Sequence, residues 1–179
     1  NAAHGITGTL HCVAGRGGLP VMEIDNALAR ASITPHGAQV LSFQPKTAAD
    51  DLLFVSECAY FAAGQEIKGG VPVCWPWFGR DPEDRGRLIH GFVRTLTWTL
   101  ISTESRPDGS TRVSFALVDD AATRALWPHA FALRMDIRIG ATLGITLTTH
   151  NPSATAYRIT QGLHAYFMVG DATRLAVRG

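Results

Sequence analysis

Lysine is nearly absent from this chain: Lys46 and Lys68 are the only two, and arginine carries the rest of the positive charge. Cysteine is scarce too. Cys12, Cys58 and Cys74 are odd in number and form no CxxC pair. They give no disulfide framework and no zinc motif, and a reducing cytoplasm is the simplest setting they imply. No apolar run approaches the ~20 residues that a membrane-spanning helix needs. The N-terminal stretch lacks the basic-then-apolar pattern of a secretory signal. The chain opens on Asn1 and not on Met, which fits a processed or excerpted start. Asn151-Pro152-Ser153 is closed to N-glycosylation by its central proline. A net charge of +1 and no block of like charge argue against a general nucleic-acid or membrane-surface binder. The histidines at 4, 11, 36, 90, 129, 150 and 164 never fall in HxxxH spacing, so no structural metal is expected.

Helical periodicity is also rare, and period-two alternation takes its place. Leu133, Met135, Ile137 and Ile139 point one way within 131–139, against Arg134, Asp136 and Arg138. Leu143, Ile145 and Leu147 repeat the pattern after the short connection Gly140-Ala141-Thr142, and Asn151-Pro152 ends it. In 92–100 the set Phe92, Arg94, Leu96, Trp98 and Leu100 alternates with Val93, Thr95, Thr97 and Thr99, which predicts a further strand. Earlier strands are expected at 9–14, 21–25, 29–34, 39–44 and 52–55, with 111–118 following the turn Pro107-Asp108-Gly109-Ser110. One helix is expected at 119–126, opened by acidic residues and stopped by Pro128. Hydrophobic content of 46% in 179 residues gives a single globular domain. The expected class is all-β, an antiparallel β-sandwich.

The stretch from Gly64 to Arg94 mixes a Lys-Gly-Gly turn, an aromatic-proline run, an acid-and-Arg loop and His90-Gly91-Phe92-Val93-Arg94. Lys68 precedes two glycines that permit close backbone approach, and it is either a solvated side chain or a cation delivered to a ligand. His90 and Arg94, four apart on the expected strand, would share a face as a donor pair for a polyol or an anion. Trp75, Trp77 and Phe78 could stack on a sugar ring or fill the core. The charged loop 80–87 reads as solvated and mobile. Cys74 has no base beside it and reads as structural. In Gly162-Leu163-His164-Ala165-Tyr166-Phe167, alternation sets Gly162, His164 and Tyr166 against Leu163, Ala165 and Phe167: a polar face with an apolar back. His164 is either a hydrogen-bonded core histidine or a proton donor, since an imidazole titrates near neutral pH.

Four phrases carry a resemblance over nearly the whole chain: 37–40 (GAQV), 68–79 (KGGVPVCWPWFG), 90–94 (HGFVR) and 163–167 (LHAYF). In order and spacing they resemble the glucose-6-phosphate 1-epimerases, hexose-6-phosphate mutarotases of the aldose 1-epimerase superfamily. The resemblance implies a large antiparallel β-sandwich that interconverts α and β anomers of a hexose 6-phosphate without a cofactor. It implies His164 as the general acid on the ring oxygen and His90 as a substrate-binding residue near that oxygen. Lys68 stands where the family usually has an arginine, so charge is kept and the bidentate fork is lost. Arg94 is the expected phosphate contact, with the 80–87 loop as a second source of cations.

The same resemblance implies a glutamate base and a substrate-binding aspartate downstream of the Leu-His-x-Tyr-Phe phrase, outside residues 1–179. Glu23, Glu57, Glu66, Glu83 and Glu104 lie in the wrong region to replace that base by motif. The expectation is therefore one mutarotase-like domain over 1–179 that lacks its C-terminal part. Its exposed sheet edges would be covered by a second chain or another copy. The rival readings are a non-catalytic sugar-binding sandwich and a truncated product without independent function. A small-molecule sugar or sugar phosphate is the expected partner.

Overall fold

A computed structural model describes residues 4–178. Strands β1 (Leu10–Ala14), β2 (Pro20–Asp25), β3 (Ala29–Thr34) and β4 (Gln39–Pro45) form an antiparallel sheet in that order. The two-residue strand β5 (Val73–Cys74) follows. β6 (Thr99–Ser105), β7 (Thr111–Val118), β8 (Ala132–Ile139) and β9 (Leu143–His150) make a second antiparallel sheet, again in chain order. A short helix, α1 (Ala121–Leu126), joins β7 to β8. Strand β10 (Gly162–Leu163) returns to pair antiparallel with β5. Among the described residues no helix is long and apolar enough to cross a membrane.

The alternating residues explain the two sheets. Leu133, Met135, Ile137 and Ile139 are buried while Arg134 and Arg138 face solvent. Ala29, Ala31 and Ile33 do the same from β3, with Arg30 outside. Together with Ile24, Phe43, Val113, Phe115 and Trp75 these residues share one core. Each fully buried aliphatic or aromatic side chain contributes about 1.5–3 kcal/mol relative to exposure.

One buried amide ties the sheets together. The Asn26 side chain, in the turn between β2 and β3, donates to Thr111 Oγ1 at 3.0 Å and to the Ile139 carbonyl at 2.9 Å. Its Oδ1 accepts from the Leu28 and Ala29 N–H groups, both at 2.9 Å. Both amide hydrogens and the oxygen are thereby used, so the group can be buried without an unsatisfied polar atom.

The expected helix begins later than its acidic residues suggest. Asp120 is the N-cap: its carboxylate accepts from the Thr123 N–H and Thr123 Oγ1 accepts from the Asp120 N–H, both at 2.8 Å. Asp119 is used elsewhere, accepting from the Phe131 N–H at 2.8 Å and pairing with Arg124.

Two expected strands are corrected. Residues 92–98 are not a strand: Val93–Thr95 is a 3₁₀ turn and β6 starts only at Thr99. Phe92 and Val93 are both buried, which alternation forbids, and the Trp98 indole donates back to the Val93 carbonyl at 3.0 Å. Residues 52–55 make isolated bridges instead of a regular strand, Leu53 to Phe167 and Val55 to Gly69. They are wedged between two neighbours, with the Phe54 N–H donating to the Tyr166 carbonyl and the Gly70 N–H donating to Phe54.

Asn26→Ala removes the inter-sheet amide and leaves the β2–β3 turn amides unpaired. Urea unfolding should show a loss of about 1–3 kcal/mol; an unchanged midpoint would deny Asn26 this bridging role.

Candidate functional site

The site is assembled from three segments, each fixed by backbone contacts. The first is the arm 65–70. Gln39, fully buried at the start of β4, donates its amide to the Ile67 carbonyl at 3.1 Å and the Gly69 carbonyl at 2.7 Å, on either side of Lys68. Buried His36 contacts the Gln65 carbonyl through Nε2 at 2.6 Å, so that nitrogen carries the proton. Gly70 has φ +60°, and a Cβ there would lie 2.1 Å from the Val40 carbonyl oxygen. Only glycine lets the arm lie this close to β4. Lys68 projects outward with its side chain 72% exposed, and its Nζ is 3.6 Å from the Glu66 carboxylate.

The second segment runs from Trp75 to Arg94. Trp75 and Trp77 are core residues, which removes them as sugar platforms, whereas Phe78 is half exposed. The 80–87 loop is largely solvent-exposed, as expected, but Arg87 anchors it. Arg87 lies 4.3 Å over the Trp77 ring, pairs with Asp81 and Glu83, and donates to the Leu126 carbonyl at 2.8 Å. The Arg87 guanidinium holds the Asp81 carboxyl well below the usual carboxylate range. Arg87 is thus committed to structure and is no spare phosphate contact.

His90 adopts φ +66°, a left-handed conformation uncommon outside glycine. Two hydrogen bonds hold it there: its N–H donates to the Gly79 carbonyl at 2.7 Å, and its Nδ1 accepts from the Gly79 N–H at 2.9 Å. An accepting Nδ1 fixes the neutral tautomer with hydrogen on Nε2, free to donate to a ligand oxygen. Gly91 follows with φ +73°; a Cβ there would sit 1.9 Å from the Trp75 carbonyl oxygen. His90 and Arg94 are therefore not strand neighbours. Arg94 sits in the 3₁₀ turn, ion-paired with Glu66, with Nη2 donating to the Ile89 carbonyl at 2.7 Å. Its Nε is buried without a partner.

The third segment is 162–168. The β5–β10 pairing sets Gly162 opposite Cys74 and Leu163 opposite Val73. Beyond the strand the ladder continues, with the His164 N–H donating to Pro72 at 2.9 Å and the Tyr166 N–H to Gly70 at 2.8 Å. His164 and Tyr166 share a face and stack with ring centroids 4.9 Å apart. His164 lies 5.5 Å from His90, and Phe78 flanks both at 6.1 Å and 4.8 Å. A Cβ at Gly162 would come 2.9 Å from the Phe78 ring, so glycine makes room for it. The opposite face is not a closed apolar back. Leu163 and Phe167 are exposed, and with Ala165, Phe43 and Ile145 they line a groove of about 430 Å³.

Of the four residues singled out from sequence, Lys68 and Arg94 both flank Glu66, His90 and His164 bring their rings to 5.5 Å, and Arg94 acts electrostatically on His90, a row of two pairs. Glu66 was missed, and its only local signal was the i, i+2 spacing to Lys68. Burial lowers the His90 pKa, the positive charge of Arg94 and the neighbouring His164 lower it further, and Glu66 opposes them. Burial raises the Cys74 thiol, which leaves it inert. Chemically, the row offers a neutral imidazole donor, a second half-buried imidazole, two cations and one exposed aromatic face. Among the described residues no cluster of three or more His, Cys, Asp or Glu is placed to hold a metal ion.

The aldose 1-epimerase family model matches residues 20–179. A protein named "putative glucose-6-phosphate 1-epimerase" from Escherichia coli (strain K12) is 38% identical over 161 residues, covering 90% of this chain and 52% of that relative. Its namesake from Salmonella typhimurium is 37% identical over the same length, again covering 52% of the relative. A crystal structure titled as a "putative mutarotase" from Salmonella typhimurium superposes with a TM-score of 0.85 at 33% identity, covering 94% of this chain and 54% of that one. A galactose mutarotase-like protein from Clostridium acetobutylicum, at 15% identity and TM-score 0.73, shares the fold. The chain spans about half the length of the curated relatives it matches.

An NMR titration of the histidine rings tests the electrostatics. The folded His90 pKa lies below the unfolded value, so the unfolded state takes up more protons as pH falls. The His90 contribution to stability should be present above pH ~6.5 and decline below it, and its ring should titrate below ~6.5. A midpoint above that value would contradict the burial of His90 and the influence of the Arg94 and His164 charges on it.

Proposed function

This chain belongs to the aldose 1-epimerase family, and from that premise we propose that it forms the substrate-gripping wall and the acid half of a hexose 6-phosphate mutarotase. The observation that carries the reading is the placement of His90 and His164, from segments far apart in sequence, with rings 5.5 Å from each other. His164 is the general acid. As the C1–O5 bond breaks, its electron pair passes to the ring oxygen, which takes the proton from His164, while a base removes the proton of the anomeric hydroxyl. The product is the open-chain aldehyde. Rotation about C1–C2 and reclosure by the reverse proton transfers give the other anomer, with nothing consumed.

His90 donates from Nε2 to a sugar oxygen near the ring oxygen. Its resistance to protonation suits that role, because it stays a neutral donor and does not compete with the acid. Lys68 and Arg94 take the 6-phosphate, and Phe78 offers the sugar an apolar face. The base is a carboxylate outside these 179 residues. Polypeptide beyond them, or a second chain, covers the groove behind Leu163 and Phe167. The reaction belongs to the cytoplasm, where Cys12, Cys58 and Cys74 stay thiols.

Exchange of glucose 6-phosphate anomers by NMR, with this chain and with the full-length protein, tests the reading. The full-length protein should accelerate exchange and this chain should do so far less. No acceleration by the full-length protein would end the enzyme reading; equal rates would refute an external base. His164→Ala in the full-length protein should lower kcat by about 10²–10⁴-fold and binding much less. Equal losses would make His164 a binding residue.

A further inference from the structure

Glu66 has no part in the proton transfers, yet it lies between the two cations assigned to the phosphate. Its carboxylate is ion-paired with Arg94 and stands 3.6 Å from Lys68 Nζ. The three side chains run inward from solvent, Lys68 at 72% exposure, Glu66 at 33% and Arg94 at 13%. With the carboxylate included, this end of the site carries one net positive charge instead of two.

The geometry divides the cations further. Arg94 already spends Nη2 on Glu66 and on the Ile89 carbonyl, and its buried Nε has no partner. An incoming phosphate therefore meets a guanidinium whose charge faces a carboxylate, and not an open fork. Lys68 is different: an exposed ammonium with rotatable donors, 3.6 Å from Glu66, can turn to a ligand without moving the backbone. Two negative groups competing for one guanidinium repel each other, and at a half-exposed position the repulsion is only partly screened.

We propose that Glu66 is a specificity-determining residue, a built-in counter-ion that competes with the anionic group of the substrate for Arg94 and Lys68. The site then favours a phosphorylated hexose over a free hexose less strongly than its two cations would on their own, and free hexose is admitted as a second substrate class. This rests on the mutarotase reading and on Lys68 and Arg94 as the anion-binding end. Glu66 is a charge element and not the base: its carboxylate is ion-paired with Arg94 and lies 3.6 Å from Lys68 Nζ.

The test compares kcat/KM for anomerisation of glucose 6-phosphate with that for glucose in the full-length protein. Glu66→Gln and Glu66→Ala should each raise the ratio about tenfold at low salt, the scale of one unit charge a few ångströms away, and the gain should shrink at high salt. Lys68→Met should move the ratio the other way. A ratio unmoved or lowered by both Glu66 variants, or equal losses on both sugars, would overturn the proposal and leave Glu66 a structural tether. If the unmodified protein turns over neither sugar, the mutarotase reading fails by itself. Glu66 is then judged by calorimetry with inorganic phosphate, where Glu66→Gln should tighten binding about tenfold and unchanged affinity would refute the counter-ion role.

Discussion

The antiparallel pairing of residues 70–74 with 162–166 is the constraint on which the site depends. Neither segment holds more than two residues of regular strand, β5 and β10, but the backbone hydrogen bonds run on from His164 to Pro72 and from Tyr166 to Gly70. This register decides which residues of 162–167 face the first wall. Slipping it by one residue would turn His164 and Tyr166 to the groove side and bring Leu163 and Ala165 forward. Gly162 admits the Phe78 ring, and Gly70 and Gly91 admit backbone oxygens, so the two walls can close to ring contact.

Buried polar groups fix what the ladder brings together. Gln39 and His36 pin the arm that bears Lys68 and Glu66 through three carbonyls. Gly79 pins His90 from both its N–H and its carbonyl and so sets its tautomer. Each of these bonds lies in or against low-dielectric interior, where an unpaired partner is costly. These bonds hold the backbone of the site, and the charged side chains lie along it. In that row Lys68 is the exposed member, while Arg94 is largely buried and ion-paired with Glu66.

The fold was legible where one face of a strand meets the core. β3 and β7 have the bounds the alternation gave, and β8 and β9 follow the alternating sets read at 131–139 and 143–147, because burial on one side leaves a period-two record. Residues 92–98 imitate that record without the structure. Their apolar residues are buried by a tight turn into the core, directly after the left-handed backbone at His90 and Gly91. Motifs singled out Lys68, His90, Arg94 and His164 as candidates, and their arrangement as two pairs was not visible in the sequence. Glu66 escaped because its main partner, Arg94, is reached only through the folded chain. In the exposed 80–87 loop the exception is Arg87, whose place on Trp77 the sequence does not show.

Mapping amide shifts of the ¹⁵N-labelled full-length protein during titration with glucose 6-phosphate tests most directly whether these segments form one site. The account predicts saturable shifts concentrated at 65–70, 78–79, 89–94 and 162–166, moving together with a single affinity. Shifts confined to the apolar groove around Leu163 and Phe167, or segments that respond with separate affinities, would contradict it.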